Sequence, residues 1–415
     1  MKLLVAIPAL NEEEGIASII QRMVNAREEI IARALVTAVE ITVVSDGSTD
    51  RTVEYARAFG AQISLIVFER NRGYGAAIME AWRRSDAELL GFLDADGTCD
   101  PRFFVDLCTA IIERDAHVAL GSRMHGASQM PLVRRIGNAV FAAMLTAFGS
   151  TRIRDAASGM RVVRRDCLPR LLPLPHGLHF TPAMSARAIL ADDLTIVEVD
   201  MPYAERAGRS KLRPFRDGWR FLGAILAAAF LYRPSRPLGG VALVAFASAF
   251  FWSIRLAWQY NRFGAIELWM IYHFVVIQLS TTAGVLLILA GYLGQKAVGI
   301  TLSRDALRYR SRGPVGAFLS HRGFWLVPFG LAILGMLVIA PAALDYVRTG
   351  HVDPVAHHWS KFFVMSFGFS LALIVIAARF VDITLDLLAD RVAYLKSSVS
   401  TASDVPPRPS GSAQS

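Results

Sequence analysis

The chain has 415 residues, and 44 Lys and Arg against 35 Asp and Glu give it a formal net charge of +9. Hydrophobic residues make up 53% of it, the mean hydropathy is +0.39, and charged residues become scarce after about Pro237, which excludes a uniformly soluble chain. The composition favours a soluble α/β domain followed by a membrane domain. With membrane segments present, the basic excess suits an anionic membrane surface better than a nucleic acid.

The N-terminal segment has one Lys and a short apolar run that is broken by Pro8 and followed by acidic residues. That pattern fits a first β-strand at residues 3–7 better than a signal peptide, which would need a small-residue cleavage site. Further short apolar runs alternate with amphipathic stretches; these runs are ITVVSD, ISLIVF, LLGFLDAD and HVALGSR. Apolar runs of strand length separated by helices predict parallel βαβ units, which bind ligands at the carboxyl ends of their strands. Asp46, Asp94 and Arg123 fall at or just after such ends, so we expect them to share one crevice.

Three cysteines lie in this first part, at Cys99, Cys108 and Cys167. Their spacing fits neither a disulfide framework nor a zinc site. We therefore expect free thiols in a reducing compartment, which places the soluble domain in the cytosol.

Four later stretches are long and apolar enough to span a bilayer, which needs about 20 residues each; they are residues 238–258, 268–293, 324–346 and 362–383. The loop between the second and third stretch holds most of the basic residues, and the positive-inside rule assigns it and both termini to the cytoplasm. Its basic residues are Lys296, Arg304, Arg308, Arg310, Arg312 and Arg322. None of the spans shows an obvious row of buried charges.

A stretch at residues 213–236 joins the two parts and has large apolar residues at helical spacing; they are Phe215, Trp219, Leu222, Leu226 and Phe230. It predicts an amphipathic helix in the membrane interface, with a half-buried helix of the soluble core as the alternative. The expected organisation is an α/β domain at 1–212, this interfacial region at 213–236, a transmembrane domain at 237–386, and a largely disordered cytoplasmic tail at 387–415.

The segment FLDADGTCDP ends an apolar run with two carboxylates, Asp94 and Asp96, one residue apart. Because strand side chains alternate, both carboxylates lie on one side of the strand and repel each other. A divalent cation would offset that repulsion, and Mg²⁺ prefers carboxylate oxygens together with substrate phosphates. Thr98 adds a hydroxyl two residues later. The alternative is a pair of solvated acids in a turn, since an Asp-x-Asp motif alone is weakly specific.

The whole series of motifs resembles family 2 of the inverting glycosyltransferases. PALNE, VVSDGSTDRT, NRGYGAA, FLDADGTCDP, GSR, DAASGMR and PYAERAGRSKL occur in the order and at roughly the spacing of that family, over about residues 2–235. The last motif is similar to the polyprenyl-phosphate subgroup, whose members include dolichyl-phosphate mannose synthases and enzymes that glucosylate undecaprenyl phosphate. The resemblance implies a GT-A-type nucleotide-sugar-binding domain with a mainly parallel sheet, here followed by an all-α transmembrane domain of four helices.

The resemblance also implies roles for individual residues. Those expected to hold the nucleotide sugar are Pro8, Leu10, Glu12, Asp46, Asp94, Ala95 and Ser210. The metal, Mg²⁺ or Mn²⁺, is expected on Asp96 with Asp94 and Thr98. Thr98 stands where dolichyl mannose synthases have Gln, a departure that leaves the third ligand open. Arg123 would contact the diphosphate or the acceptor phosphate, and Arg206, Ser210 and Lys211 would lie on a loop that closes over the diphosphate.

The implied reaction transfers a hexose from a nucleotide sugar to a polyprenyl phosphate at the cytoplasmic face of the membrane, with inversion. A phosphate monoester is largely dianionic at pH 7 and needs no general base, whereas a hydroxyl acceptor needs one. Asp155 in DAASGMR is therefore either a base or an organiser of a neighbouring Arg, and the phosphate acceptor favours the organiser. The stretch at 131–149, with Arg134 and Arg135, would guide the lipid phosphate at the membrane surface, or it is an ordinary core helix.

Two other functions are open alternatives. One is a glycosyltransferase that uses a membrane lipid hydroxyl, and the other is a transport or flippase protein with a nucleotide-sugar-binding domain, because four spans exceed what anchoring needs. A homo-oligomer formed through the spans is a further open possibility.

Overall fold

The computed structural model describes residues 1–124, 130–149, 151–191, 193–204, 213–302, 313–351 and 359–403. The chain divides into two compact units, Met1–Tyr232 and Arg233–Ser415.

The first unit is built on a seven-stranded sheet with the order β3-β2-β1-β4-β6-β5-β7. The strands are β1 Lys2–Ala9, β2 Ala38–Asp46, β3 Ser64–Phe68, β4 Leu89–Leu93, β5 Val118–Ser122, β6 Met160–Arg164 and β7 Ile196–Asp200. β6 runs antiparallel to both of its neighbours, β4 and β5, and the other pairs are parallel. The expected mainly parallel sheet is confirmed.

Helices cover both faces of this sheet. They are α1 Ile16–Arg33, α2 Thr52–Arg57, α3 Tyr74–Arg84, α4 Phe104–Glu113, α5 Leu132–Phe148, α6 Leu168–Leu171, α7 Phe180–Leu190 and α8 Pro214–Tyr232. One core contains apolar side chains of α1 and α4, and the other contains those of α3, α7 and α8. Since β1 and β4 are buried on both faces, they read in the sequence as continuous apolar runs.

Helix α8 presents apolar residues on two sides. Phe221 and Ile225 are buried in the first unit, as the core-helix alternative predicts. On its other side Phe215 is 91% exposed and Trp219 is 75% exposed. The helix therefore anchors itself to the α/β unit with one stripe and leaves an aromatic stripe uncovered within the described part of the chain.

The second unit is helical, with α9 Ser235–Phe263, α10 Ile271–Leu302, α11 Gly313–Ser320, α12 Leu326–Thr349 and α13 Ser360–Ser403. Among the described residues, four segments are long and apolar enough to cross a membrane, which confirms the expected four apolar helices; they are Ser235–Phe263, Leu268–Leu302, Leu326–Thr349 and Ser360–Leu395. α9 packs on α10, α12 packs on α13, and α10 also packs on α13. The last helix continues to Ser403, well past residue 387, where a largely disordered tail is expected to begin.

Lys296 corrects the prediction about charges in the spans. It lies inside α10 rather than in the basic loop, is buried, and forms ion pairs with Asp382 and Asp386 of α13. Asp382 also accepts hydrogen bonds from Arg379 at 2.8 Å and from the hydroxyl of Tyr292 at 3.0 Å. The spans thus contain a cluster of buried charges that is not obvious in the sequence, because Lys296 and Asp382 lie 86 residues apart. Arg304, Arg308, Arg310 and Arg312 lie outside the described residues.

Candidate active site

A cavity of about 450 Å³ opens at the carboxyl ends of the parallel strands of the first unit. It brings together eight of the residues selected from the sequence: Pro8, Leu10, Glu12, Asp46, Asp94, Ala95, Asp96 and Arg123. Thr98 and Asp155 are buried directly behind this lining. Arg206, Ser210 and Lys211 lie outside the described residues.

Two strand-end loops are bound to each other at one end of the cavity. The backbone N–H of Glu12 donates to Thr52 Oγ1 at 2.8 Å, and the side chain of Asn11 accepts from the backbone N–H of Thr49 at 2.8 Å. Asn11 has a φ of 48°, in the left-handed region that Asn tolerates better than most residues. These bonds fix the loops after β1 and β2 against each other, which forms one wall of the cavity.

Asp46 organises the glycine turn that precedes α3. Its carboxylate accepts hydrogen bonds from the backbone N–H groups of Arg72 at 2.6 Å and Gly73 at 2.9 Å. Burial raises the pKa of this carboxyl, and the two backbone donors partly oppose the rise. Asp46 therefore lines the cavity and also fixes the backbone at Arg72 and Gly73.

Asp94 and Asp96 each have a nearby hydroxyl donor. The hydroxyl of Tyr74 donates to Asp94 Oδ1 at 2.6 Å, and burial raises the pKa of that phenol well above its usual value, so it stays protonated. Thr98 donates to Asp96 Oδ1 through its backbone N–H at 3.1 Å and through its hydroxyl at 2.7 Å. Part of the repulsion between the two carboxylates is thus offset by fixed donors.

The carboxylate oxygens of Asp94 and Asp96 suit a hard cation only if ligands from outside the protein complete its coordination. Among the described residues no group of three His, Cys, Asp or Glu could hold a metal ion. Two carboxylates one residue apart, both lining the cavity, match a Mg²⁺ or Mn²⁺ site completed by substrate phosphate oxygens and water. The Thr98 hydroxyl is engaged with Asp96, so it acts on the carboxylate in this arrangement.

Arg123 and the fully buried Asp155 form a bidentate ion pair. Arg123 Nε and Nη2 donate to the two carboxylate oxygens at 2.8 and 2.9 Å, and its backbone N–H adds a third bond at 3.0 Å. Asn138 and the backbone of Ala157 each donate to Oδ1 at 3.1 Å. Burial acts to raise the pKa of Asp155, but Arg123 and the backbone donors hold it below its ordinary value. A carboxylate with five donors is saturated.

Three residues at or near the site were assigned no role from the sequence. Tyr74 and Arg161 lie within the motifs NRGYGAA and DAASGMR, and Asn138 is noticeable only as an amide inside an apolar stretch. Arg161 is fully buried, donates to the carbonyl oxygens of Ala156 and Ser158, and has no hydrogen-bond partner for Nη1 among the described residues. Burial lowers its pKa to about 10, which leaves it cationic at neutral pH.

Helix α5 borders the cavity on another side. Val133, Arg134 and Phe141 line the cavity, while Leu132 is 71% exposed and Ile136 is 56% exposed. Helix α5 thus turns one side to the cavity and exposes apolar residues on another side. An ordinary core helix would expose polar residues instead.

Comparison with known proteins gives consistent results. Residues 4–172 match the family described as Glycosyl transferase family 2. The low-salt glycan biosynthesis hexosyltransferase Agl6 of Haloferax volcanii is 33% identical over 267 residues, which are 63% of this chain and 61% of that protein. The dolichyl-phosphate hexose transferase of the same organism is 31% identical over 225 residues, 52% of this chain and 89% of that protein.

A solved structure of glucosyl-3-phosphoglycerate synthase from Mycobacterium tuberculosis, in complex with Mn²⁺, uridine diphosphate and glucosyl-3-phosphoglycerate, aligns with a TM-score of 0.42 and 23% identity. The alignment covers 55% of this chain and 80% of that chain.

Proposed function

Since the chain belongs to glycosyltransferase family 2, we propose that it transfers a hexose from a nucleotide sugar to a polyprenyl phosphate at the cytoplasmic face of a cell membrane. Both Haloferax relatives are named as hexose transferases, and one of them acts on dolichyl phosphate by name. The observation that carries the proposal is that one cavity joins an acidic pair, Asp94 and Asp96, to a largely buried arginine, Arg123.

The donor occupies the half of the cavity between the strand-end loops and the acidic pair. The loop from Pro8 to Glu12 and the end of β2 at Asp46 form the nucleoside side. Mg²⁺ or Mn²⁺, when bound, would stabilise the negative charge that develops on the leaving diphosphate. Asp94 and Asp96 would hold it, and Arg206, Ser210 and Lys211 would add cationic and hydroxyl contacts to the diphosphate.

The acceptor enters from the side of Arg123. An oxygen of the phosphate attacks the anomeric carbon while the bond from that carbon to the diphosphate oxygen breaks, which inverts the configuration. Because the phosphate is already ionised at pH 7, the reaction requires no proton acceptor on the protein. Asp155 is well suited to hold the Arg123 guanidinium in place, since all its acceptor positions are engaged.

The exposed apolar stripes of α5 and α8 support the proposal that the enzyme acts at a membrane surface. Leu132 and Ile136 of α5, and Phe215 and Trp219 of α8, are exposed on the unit that holds the cavity. A water-soluble acceptor would not require such stripes, whereas a lipid acceptor keeps its chain in the bilayer. Arg134 of the same helix lines the cavity, where a lipid phosphate would pass.

The test is release of nucleoside diphosphate by the purified full-length protein. Uridine- and guanosine-diphosphate sugars are offered with Mg²⁺ or Mn²⁺, with and without undecaprenyl phosphate, and Asp96→Ala serves as the blank. Release that requires the lipid phosphate is the expected result. Release that requires a hydroxyl lipid instead would replace the acceptor, and donor binding without any lipid-dependent release would refute the proposed transfer.

A further inference from the structure

Tyr74 connects two motifs that are separate in the sequence. It is the first residue of α3, directly after Gly73, and its hydroxyl donates to Asp94 Oδ1 at 2.6 Å across a separation of 20 residues. The other end of its ring packs edge-on against Phe92 and Phe180, with centroid distances of 6.3 and 6.4 Å. The phenol is therefore held at its ring and directed at one carboxylate oxygen.

The backbone before Tyr74 is fixed as well. Asp46 accepts hydrogen bonds from the N–H groups at residues 72 and 73, and the carbonyl of His176 accepts from Gly75 at 2.6 Å. Gly73 has a φ of 108°, and a Cβ there would lie 2.4 Å from the carbonyl oxygen of His176. Tyr74 thus starts from a turn that is bound on two sides, so the position of its hydroxyl is well defined.

The second oxygen of Asp94 is confined by Gly159. A Cβ on Gly159 would lie 1.8 Å from Asp94 Oδ2, so the carboxylate occupies the space that a side chain would take. The backbone N–H of Asp94 also donates to the carbonyl of Gly159 at 3.2 Å. Between the phenol and this glycine the carboxylate has few orientations open to it.

We propose that Tyr74 is a positioning residue whose hydroxyl orients the Asp94 carboxylate and thereby sets the affinity of the site for a divalent cation with a nucleoside diphosphate. This rests on the proposed function, because it assigns Asp94 to metal and diphosphate binding. Without the phenol, Asp94 would rotate away from Asp96 to reduce the repulsion between the two charges. A carboxylate that is already oriented before the ligand binds lowers the free-energy cost of ordering the site.

The test compares Tyr74→Phe with wild type and with Tyr232→Phe. The control removes the same atom and another hydrogen bond, from the Tyr232 hydroxyl to the carbonyl of Arg170, on a helix remote from Asp94 in sequence. Calorimetry measures binding of Mn²⁺ with uridine diphosphate, and separately with guanosine diphosphate, to each full-length protein. Diphosphate release is measured across a range of Mn²⁺ concentrations.

We expect Tyr74→Phe to raise the Mn²⁺ concentration for half-maximal activity about tenfold, the size of a lost charge-assisted hydrogen bond, and to weaken binding of the metal–nucleotide pair similarly. At saturating Mn²⁺, kcat should return to near the wild-type value, and Tyr232→Phe should behave as wild type. Equal Mn²⁺ dependence in Tyr74→Phe and wild type would overturn the proposal. Loss of kcat at every Mn²⁺ concentration, with unchanged affinity, would overturn it too.

A double-mutant comparison in metal-free protein isolates the contact itself. Tyr74→Phe should lower the melting temperature in the wild-type background and have little effect when Asp94→Ala is present. An equal shift in both backgrounds would show that the hydroxyl does not act through Asp94. Wild type that binds a metal–nucleotide pair but ignores undecaprenyl phosphate would reject only the proposed acceptor, and wild type that binds neither pair would reject the role of Tyr74 as well.

Discussion

Asp155→Asn tests whether the buried carboxylate organises Arg123 or acts as a base. The side chain of Arg123 lines the cavity but is only 12% exposed, so water would solvate its guanidinium only in part once residue 155 is neutral. Removing one partner of a buried ion pair costs about 3–5 kcal/mol, and we expect a loss of about 3 kcal/mol in the free energy of unfolding because Asn keeps the shape and one acceptor. The released guanidinium should move away from the acceptor phosphate.

The expected kinetic result is a partial loss of activity. A misplaced Arg123 should lower kcat/KM for undecaprenyl phosphate by about 10- to 100-fold, mainly through a higher KM, since about 1.4 kcal/mol corresponds to each factor of ten. Arg123→Gln alone should cause a similar loss, and the double variant should lose little more, because both changes remove one interaction. The assay is diphosphate release against lipid phosphate concentration, with Asp200→Asn as the control at an exposed ion pair.

A general base would give a different pattern. Asp155→Asn would then abolish kcat as completely as Asp96→Ala, with an unchanged KM for the lipid phosphate and an additive loss in the double variant. That result would refute the organiser role and reopen the lipid hydroxyl as acceptor.

Three further predictions concern single contacts. Gly159→Ala should displace Asp94, because the new Cβ would lie 1.8 Å from Oδ2, and should weaken metal–nucleotide binding at least about tenfold; calorimetry with unchanged affinity would contradict this. Lys296→Met should lower the melting temperature by removing one cation from the buried Asp382 carboxylate, at a cost of about 3 kcal/mol, the low end for a broken buried pair because Arg379 remains; adding Asp382→Leu should recover most of the loss, and a single variant as stable as wild type would contradict the pairing. The pKa of Asp155 is lowered from its ordinary value of 3.8, so the ionised carboxylate stabilises the fold above that pH and the contribution is lost as the pH falls further. The difference in melting temperature between wild type and Asp155→Asn should therefore shrink below about pH 4. A constant difference would argue against the ionised pair.

Local patterns in the sequence predicted much of the fold. Strand runs such as LLGFL and spans such as 268–293 are contiguous, so their length and apolar character can be read without knowing their neighbours. The convergence of Asp46, Asp94 and Arg123 also followed from the sequence, since the carboxyl ends of parallel strands meet at one edge. The antiparallel placement of β6 between β4 and β5 did not, because the five-residue segment MRVVR has no pattern that shows its direction.

The sequence by itself identified eight residues that line the cavity and four stretches that are long and apolar enough to span a membrane. Only the tertiary structure decided how those residues are held: Tyr74 on Asp94, Asn138 on Asp155, and Lys296 on Asp382. Each of these contacts joins polar side chains from different elements, and their pairing depends on which elements become neighbours and on the rotation of each helix. Neither the choice of neighbours nor the rotation of a helix leaves a periodic signal in the sequence. The apolar face by which an element packs into the core does leave one.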